Sequence, residues 1–228
     1  MKSPVHPTPP SIDNNQMRKR ILHAAFQSFT GNGYAGTSTL TIATRAKVSK
    51  RDLYSNFASK QAMLIACIKS RCDKMRIPEG LPEPRNWETL ASALTAFGTN
   101  LVMESSHPDV IAMFRLAISE ADRSPEIAEA LEKSREATQQ ALSDLFAHAR
   151  SFGLLRDGDL GEMASQCLTL LRDGLMISLL LGVISRPSHT QIQRHVAKAV
   201  TTFLQLYPES THVLKPSKGA KTSRPTSS

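Results

Sequence analysis

The stretch Thr37–Lys60, TSTLTIATRAKVSKRDLYSNFASK, constrains this chain more than any other. Two short runs, Thr37–Arg45 and Ser49–Phe57, carry helical patterning on either side of a turn at Ala46-Lys47-Val48. Helices this short do not hold in water by themselves. They persist only if Leu40, Ala43, Ala46 and Val48, with Leu53 and Phe57 of the second run, share a core with a third element. A helix from about Asn14 to Gly31 supplies that element, with Met17, Ile21, Leu22, Ala25 and Phe29 on one face. Three helices around one core, the last two joined by a tight turn, make a helix-turn-helix.

The second short helix has a defined start. Ser49 followed three residues later by Asp52 makes a capping box, with Asp in place of the usual Glu. Its outward positions then read Lys50, Arg51, Tyr54, Ser55 and Asn56. Cations suit phosphates and guanine edges, and an amide pairs with adenine or phosphate. A Lys-Arg pair alone usually means a solvated surface. Here cap, turn, charge and aromatic coincide at a helix N-terminus, which is the part that enters a major groove.

Net charge supports the same partner. The chain carries +8, but Asp13–Lys60 alone carries +6, from eight Lys/Arg against Asp13 and Asp52. The stretch Gln61–Tyr207 is slightly acidic at −2. Such asymmetry points to a polyanion bound by one segment.

The matching positions run from Arg20-Ile-Leu through Ala24-Ala25, Phe29, Gly33-Tyr34, Thr37-Ser38, Ile42-Ala43 and Ala46. They continue through Val48-Ser49, Leu53-Tyr54, Phe57 and Ser59-Lys60. This pattern closely resembles the DNA-binding domain of the TetR family, over about the first quarter of the chain. The resemblance implies phosphate contacts at Thr39, Ser49, Tyr54 and Lys60, and base or nearby backbone contacts at Lys50, Arg51, Ser55 and Asn56. Arg45 and Lys47, beside the turn, complete the expected DNA-contacting set. One position departs: where the family usually places Gly before the Val-Ser, this chain has Lys47. A positive φ there costs on the order of 1 kcal/mol relative to Gly.

The rest of the chain also reads as helix, giving an all-α fold of about nine helices. Prolines fall between the periodic runs, at Pro78, Pro82, Pro84, Pro108, Pro125 and Pro187. Ser59 starts a helix to about Arg76, and Trp87 one to Ser105. His107-Pro108 opens one to about Asp122, and Ser124-Pro125-Glu126 one to about Phe152. A single apolar helix is expected from Asp159 to about Ile184, and a last one from Ser188 to about Tyr207. The expected division is a tail at 1–13, a DNA-binding domain at 14–62, a ligand-binding and dimerisation domain at 63–207, and a basic tail at 208–228. The segment Phe114–Ala128 with the later Gly153-Leu-Leu is similar to the AefR-like subgroup of the family.

Small residues Gly174, Ser178 and Gly182 recur every fourth position, flanked by Leu171 and Leu175. The last helix carries Ile192, Val196, Ala199, Val200, Phe203 and Tyr207 on one stripe. Either set serves to pack on the body. A two-fold interface of four helices, which the resemblance implies, places Leu171, Gly174, Leu175, Ser178, Gly182, Val196, Val200 and Phe203 between subunits. The homodimer then presents two reading heads to a palindromic DNA operator. Phe97, Leu101, Met103, Met113, Phe114, Leu142 and Phe146 are expected to line a small-molecule effector pocket, although each is equally what a helical core contains.

Catalytic and metal signatures are absent from the sequence. Seven histidines show no HxxH or HExxH spacing, and no GxSxG, Walker loop or GxGxxG occurs. No enzyme activity, cofactor or metal is expected. Cys67, Cys72 and Cys167 have no CxxC spacing and suit a reducing, cytoplasmic compartment. Gly174–Ser185 is apolar but too short to span a membrane, and no secretory leader is seen, so no membrane partner is expected. The expected function is a repressor released from DNA by an apolar or amphipathic effector. The alternatives are an effector-independent regulator or an activator of the same fold, and a DNA-processing enzyme that carries a helix-turn-helix.

Overall fold

Side-chain caps set most of the helix starts. Ser38, Ser59 and Asp159 each accept the backbone N–H three residues on, from Thr41, Ala62 and Glu162. Ser49, Asn86 and Ser188 go further and close full capping boxes with Asp52, Thr89 and Gln191. Ser124 stands at the expected cap, but its hydroxyl makes no cap bond; Pro125 at the first helical position defines that start.

The resulting computed structural model describes residues 14–81 and 83–208. Ten α-helices and one 3-10 turn, with no strand, make up the described residues. They are α1 (Asn14–Asn32), α2 (Thr39–Ala46), α3 (Lys50–Asn56) and α4 (Lys60–Cys72), then the 3-10 turn Asp73–Met75. After it come α5 (Trp87–Ser105), α6 (Pro108–Glu120), α7 (Pro125–Ser151), α8 (Leu160–Arg172), α9 (Leu175–Leu181) and α10 (His189–Leu206). The N-terminal tail 1–13, and the basic tail beyond Pro208, lie outside the described residues.

Two apolar cores organise these helices. The first joins Ile21, Phe29, Ile42, Leu53 and Phe57 of the small helices to Met63, Leu64 and Ile68 of α4. It extends onto Met113 and Ala117 of α6 and Ile127 of α7, so the first bundle is seated on the body. The second core holds α5, α7, α8 and α10 together, with Phe146 stacked on Phe203 at 4.9 Å between ring centres. Gly98 permits this packing. A Cβ there would lie 2.6 Å from Leu171 Cδ2 and 2.8 Å from Val196 Cγ1.

The expected apolar helix from Asp159 to Ile184 is in fact two helices, which raises the count above nine. The chain leaves helical geometry at Asp173, and Gly174 takes φ +69°. As a result α8 and α9 meet at 47°. The Arg115 guanidinium on α6 donates to the carbonyls of Leu179 (3.0 Å) and Leu180 (2.9 Å), holding the end of α9. No single described helix is long and apolar enough to cross a membrane.

Candidate nucleic-acid interface

The α2–α3 turn is closed by an arginine from α1. Arg20 donates to the carbonyls of Ala46 (2.6 Å) and Lys47 (3.0 Å), which have no partner within α2 at its C-terminus. Lys47 takes φ 53° and ψ 49°, in the left-handed α region that glycine favours. The Val48 N–H returns to the Ala43 carbonyl at 3.1 Å, so the turn is fully formed despite the missing glycine. Lys47→Gly should therefore raise the unfolding free energy by about 0.5–1 kcal/mol. Relief of left-handed strain, about 1–2 kcal/mol, outweighs the extra freedom glycine gives the unfolded chain. Urea denaturation of the two proteins measures this, and a lower stability for the glycine variant would contradict it.

The capping box fixes α3. Ser49 Oγ accepts the Asp52 N–H at 3.0 Å and donates to Asp52 Oδ2 at 2.6 Å. Beyond it Lys50, Arg51 and Tyr54 stand exposed, and neither cation has an ion-pair or hydrogen-bond partner among the described residues. Arg45 and Lys47 are exposed and unpaired in the same way. Tyr54 Oη lies 3.3 Å from Thr39 Oγ1, which joins the faces of α2 and α3. Ser55 is exposed, its hydroxyl donating to the Asp52 carbonyl.

Three expected contact residues are already engaged inside the protein. Lys60 is half-buried; its ammonium donates to the carbonyls of Tyr34 (2.8 Å) and Thr37 (3.1 Å) and lies 4.1 Å from the centre of the Tyr34 ring. It ties down the α1–α2 connection rather than standing free for a phosphate. Ser49 is spent on the cap, and the Asn56 amide donates to the Asp52 carbonyl. Leu40, expected in the core, is 65% exposed at the start of α2. It stands beside Thr39 as an apolar group suited to a thymine methyl or a sugar.

Charge counting also missed two clamps. Arg18 donates to the Asn56 carbonyl at 2.8 Å and stacks over Phe57 at 4.2 Å, while Arg20 closes the turn. Of the basic residues in this region, Lys19, Arg45, Lys47, Lys50 and Arg51 remain exposed and unpaired among the described residues. A helix-turn-helix with a capped second helix and outward unpaired cations is built to meet duplex DNA.

Family profiles agree over most of the chain. Residues 21–67 match the bacterial regulatory proteins of the tetR family, and residues 92–209 match the AefR-like transcriptional repressor C-terminal domain. The chain belongs to the TetR family. This TetR-family member is a DNA-binding transcriptional regulator, and its family and fold are those of regulators rather than enzymes. It is 26% identical to the HTH-type transcriptional regulator YvkB of Bacillus subtilis (strain 168) over 182 residues, 78% of this chain and 93% of that one. A TetR-family structure from Mesorhizobium loti MAFF303099 shares its fold with a TM-score of 0.74 at 23% identity, covering 87% of this chain and 100% of that one. The flavonoid-responsive regulator FrrA superposes with a TM-score of 0.68 at 29% identity, covering 85% of this chain and 98% of that one.

In this TetR-family regulator the body holds an apolar chamber of about 380 Å³ between the end of α4, α5, α6, α7 and the α8–α9 bend. Of the expected lining residues, Leu101 and Phe114 reach it. Phe97, Leu142 and Phe146 are sealed in the second core, against which Met103 also packs, and Met113 belongs to the first. The chamber wall includes groups that apolar periodicity could not flag, among them Cys72, Arg135 and Arg172. Burial pushes the Cys67 and Cys167 thiols up to about 12, so both stay protonated and inert.

The expected dimer set divides in the same manner. Leu171, Val196, Val200 and Phe203 are buried within the subunit. Leu175 and Ser178 are half-buried, while Gly174 and Gly182 are exposed at the two ends of α9. Exposed apolar surface lies along α9 and just beyond it. Ile177 is 63% exposed, and Leu181 and Val183 are each 73% exposed.

Proposed function

We propose that the protein is a homodimeric repressor, released from a palindromic operator when a small apolar or amphipathic molecule fills the chamber. The observation that carries this reading is the capped α3 with Lys50, Arg51 and Tyr54 outward and unpaired. Residues 14–62 form the DNA-binding domain and 63–207 the regulatory domain. Lys50, Arg51, Tyr54, Ser55 and Leu40 meet the groove, with Thr39, Arg45 and Lys47 along its phosphates. Asn56 and Lys60 act mainly by holding α3 and the loop before α2.

Helix α4 links the two functions. Its residues Met63, Leu64 and Ile68 join the core of the DNA-binding bundle, while Cys72 at its end and Met75 in the 3-10 turn that follows border the chamber. An occupant that displaces Cys72 and Met75 tilts α4 and swings the small bundle with it. The occupied dimer then holds its two α3 helices at a spacing that misses successive major grooves. FrrA, of the same fold, is named as flavonoid-responsive, which supports control by a small molecule.

The apolar strip Ile177, Leu181 and Val183 is the proposed centre of the subunit contact, since apolar surface of this kind marks association sites. The wild-type protein should sediment as a dimer and retard a fragment of its own upstream DNA in a gel. The double variant Ile177→Glu/Leu181→Glu should sediment as a monomer and bind that fragment at least about 100-fold more weakly, because two linked half-site contacts become one. A wild-type monomer, or a charged variant that still dimerises and binds fully, would overturn the arrangement.

A further inference from the structure

One half-buried cation in the body has no counterpart among the described residues. Arg172, the last residue of α8, is half-buried and borders the apolar chamber. Its half-buried guanidinium, whose nitrogens keep access to solvent, makes no hydrogen bond and no ion pair with any described residue. Burial, and then the nearby Arg135 charge, hold its pKa below the ordinary arginine value, so it sits in an unfavourable field.

The other charges around it are accounted for. Arg135, on α7, is engaged by Glu132 through both carboxylate oxygens and by Gln139 at 3.2 Å. Glu132, Arg135 and Arg172 all border the chamber, leaving a net charge of +1 that belongs to Arg172. Asp173 is its sequence neighbour but faces solvent and forms no ion pair with it. Arg135 and Arg172 also border a polar hollow of about 350 Å³ that includes Ser165 and Thr169. The pair thus stands between the apolar chamber and an open polar hollow. A cation at the C-terminal end of a helix does gain from the helix dipole. That gain asks nothing of an apolar wall around the guanidinium, nor of a second arginine beside it.

We infer that the chamber takes an amphipathic acid, its apolar body between α5, α6 and α7 and its carboxylate on the unpaired Arg172 guanidinium. This rests on the proposal that the chamber is an effector site, and it names the chemical class. The carboxylate supplies the ion pair that the protein withholds, and two N–H donors of the guanidinium match its two oxygens. Chamber volume matches an acid of about ten carbons or a small aromatic equivalent, given that such sites begin near about 300 Å³.

The test compares decanoate with decanol, which share the apolar body and differ in the head group. Titration calorimetry on the full-length wild-type protein should show decanoate binding about 10- to 100-fold more tightly than decanol, as expected for a charge-assisted bond out of bulk water. Arg172→Met should remove that preference while leaving decanol binding within about threefold, and Arg172→Lys should restore part of it. Equal binding of the two ligands by wild type, retention of the preference in Arg172→Met, or binding of neither overturns the inference. Gel retardation with the upstream DNA is read separately. If decanoate binds through Arg172 yet leaves DNA binding unchanged, the acid site stands and effector-controlled release fails. If a neutral ligand releases the DNA while decanoate does not bind, the reverse holds.

Discussion

Replacing Phe203 with alanine should lower the unfolding free energy by about 3–5 kcal/mol without weakening subunit association. The ring is fully buried between α10 and the body, stacked on Phe146 at 4.9 Å and tilted against Tyr207 at 5.1 Å. Truncation removes the transfer gain of a large aromatic and leaves a cavity that neighbours on three helices cannot collapse into. An interface residue would behave differently. Its loss would shift the monomer–dimer equilibrium and cost stability only in proportion to dissociation. Denaturant melts at several protein concentrations, beside sedimentation equilibrium, separate the two. A dissociation constant raised more than about tenfold with little change in subunit stability would return Phe203 to the interface.

That residue marks the limit of what the sequence discloses. The stripe Ile192, Val196, Ala199, Val200, Phe203 is plain in the sequence, because its period reports a helix with one buried face. What it faces is not encoded in the period. The decision was made by Gly98 on α5, which lets that helix approach α8 and α10 closely, and no local pattern around Gly98 announces it. The break between α8 and α9 escaped for a related reason. Gly174 lies in a run where Leu175 to Leu181 has almost no polar face, so the helical phase could not be followed across it.

The DNA-binding bundle was more legible, since its information is local. Caps at Ser49 and Ser59 act within three residues, and both sit where the sequence puts them. The strained Lys47 was visible as a departure at a single position, and it does take positive φ. Cations were the opposite case. Arg20 meets Ala46, and Lys60 meets Tyr34, each 26 residues away along the chain; counting charge gives no sign of that. The same blindness applied to the chamber, whose polar wall comes from helices far apart in sequence.

This distinction between free and engaged cations gives the second large effect. Lys50→Ala/Arg51→Ala should weaken operator binding by about 100-fold at moderate salt and leave the thermal midpoint unchanged, because both side chains are exposed and unpaired. The slope of log affinity against log salt should become shallower by about 2, one counterion for each lost contact. If Arg51 reads a base edge, its single replacement also relaxes preference at one operator position, whereas a phosphate contact weakens all sequences alike. Lys60→Met supplies the contrast. Two loop carbonyls at 2.8 and 3.1 Å lose their donor, so the thermal midpoint falls and affinity drops through misplacement of α2. The salt slope then stays close to that of wild type. Fluorescence anisotropy with labelled operator across a salt series reads both effects. A full unit lost from the slope in Lys60→Met, with unchanged stability, would show that this ammonium leaves Tyr34 and Thr37 to reach the DNA backbone.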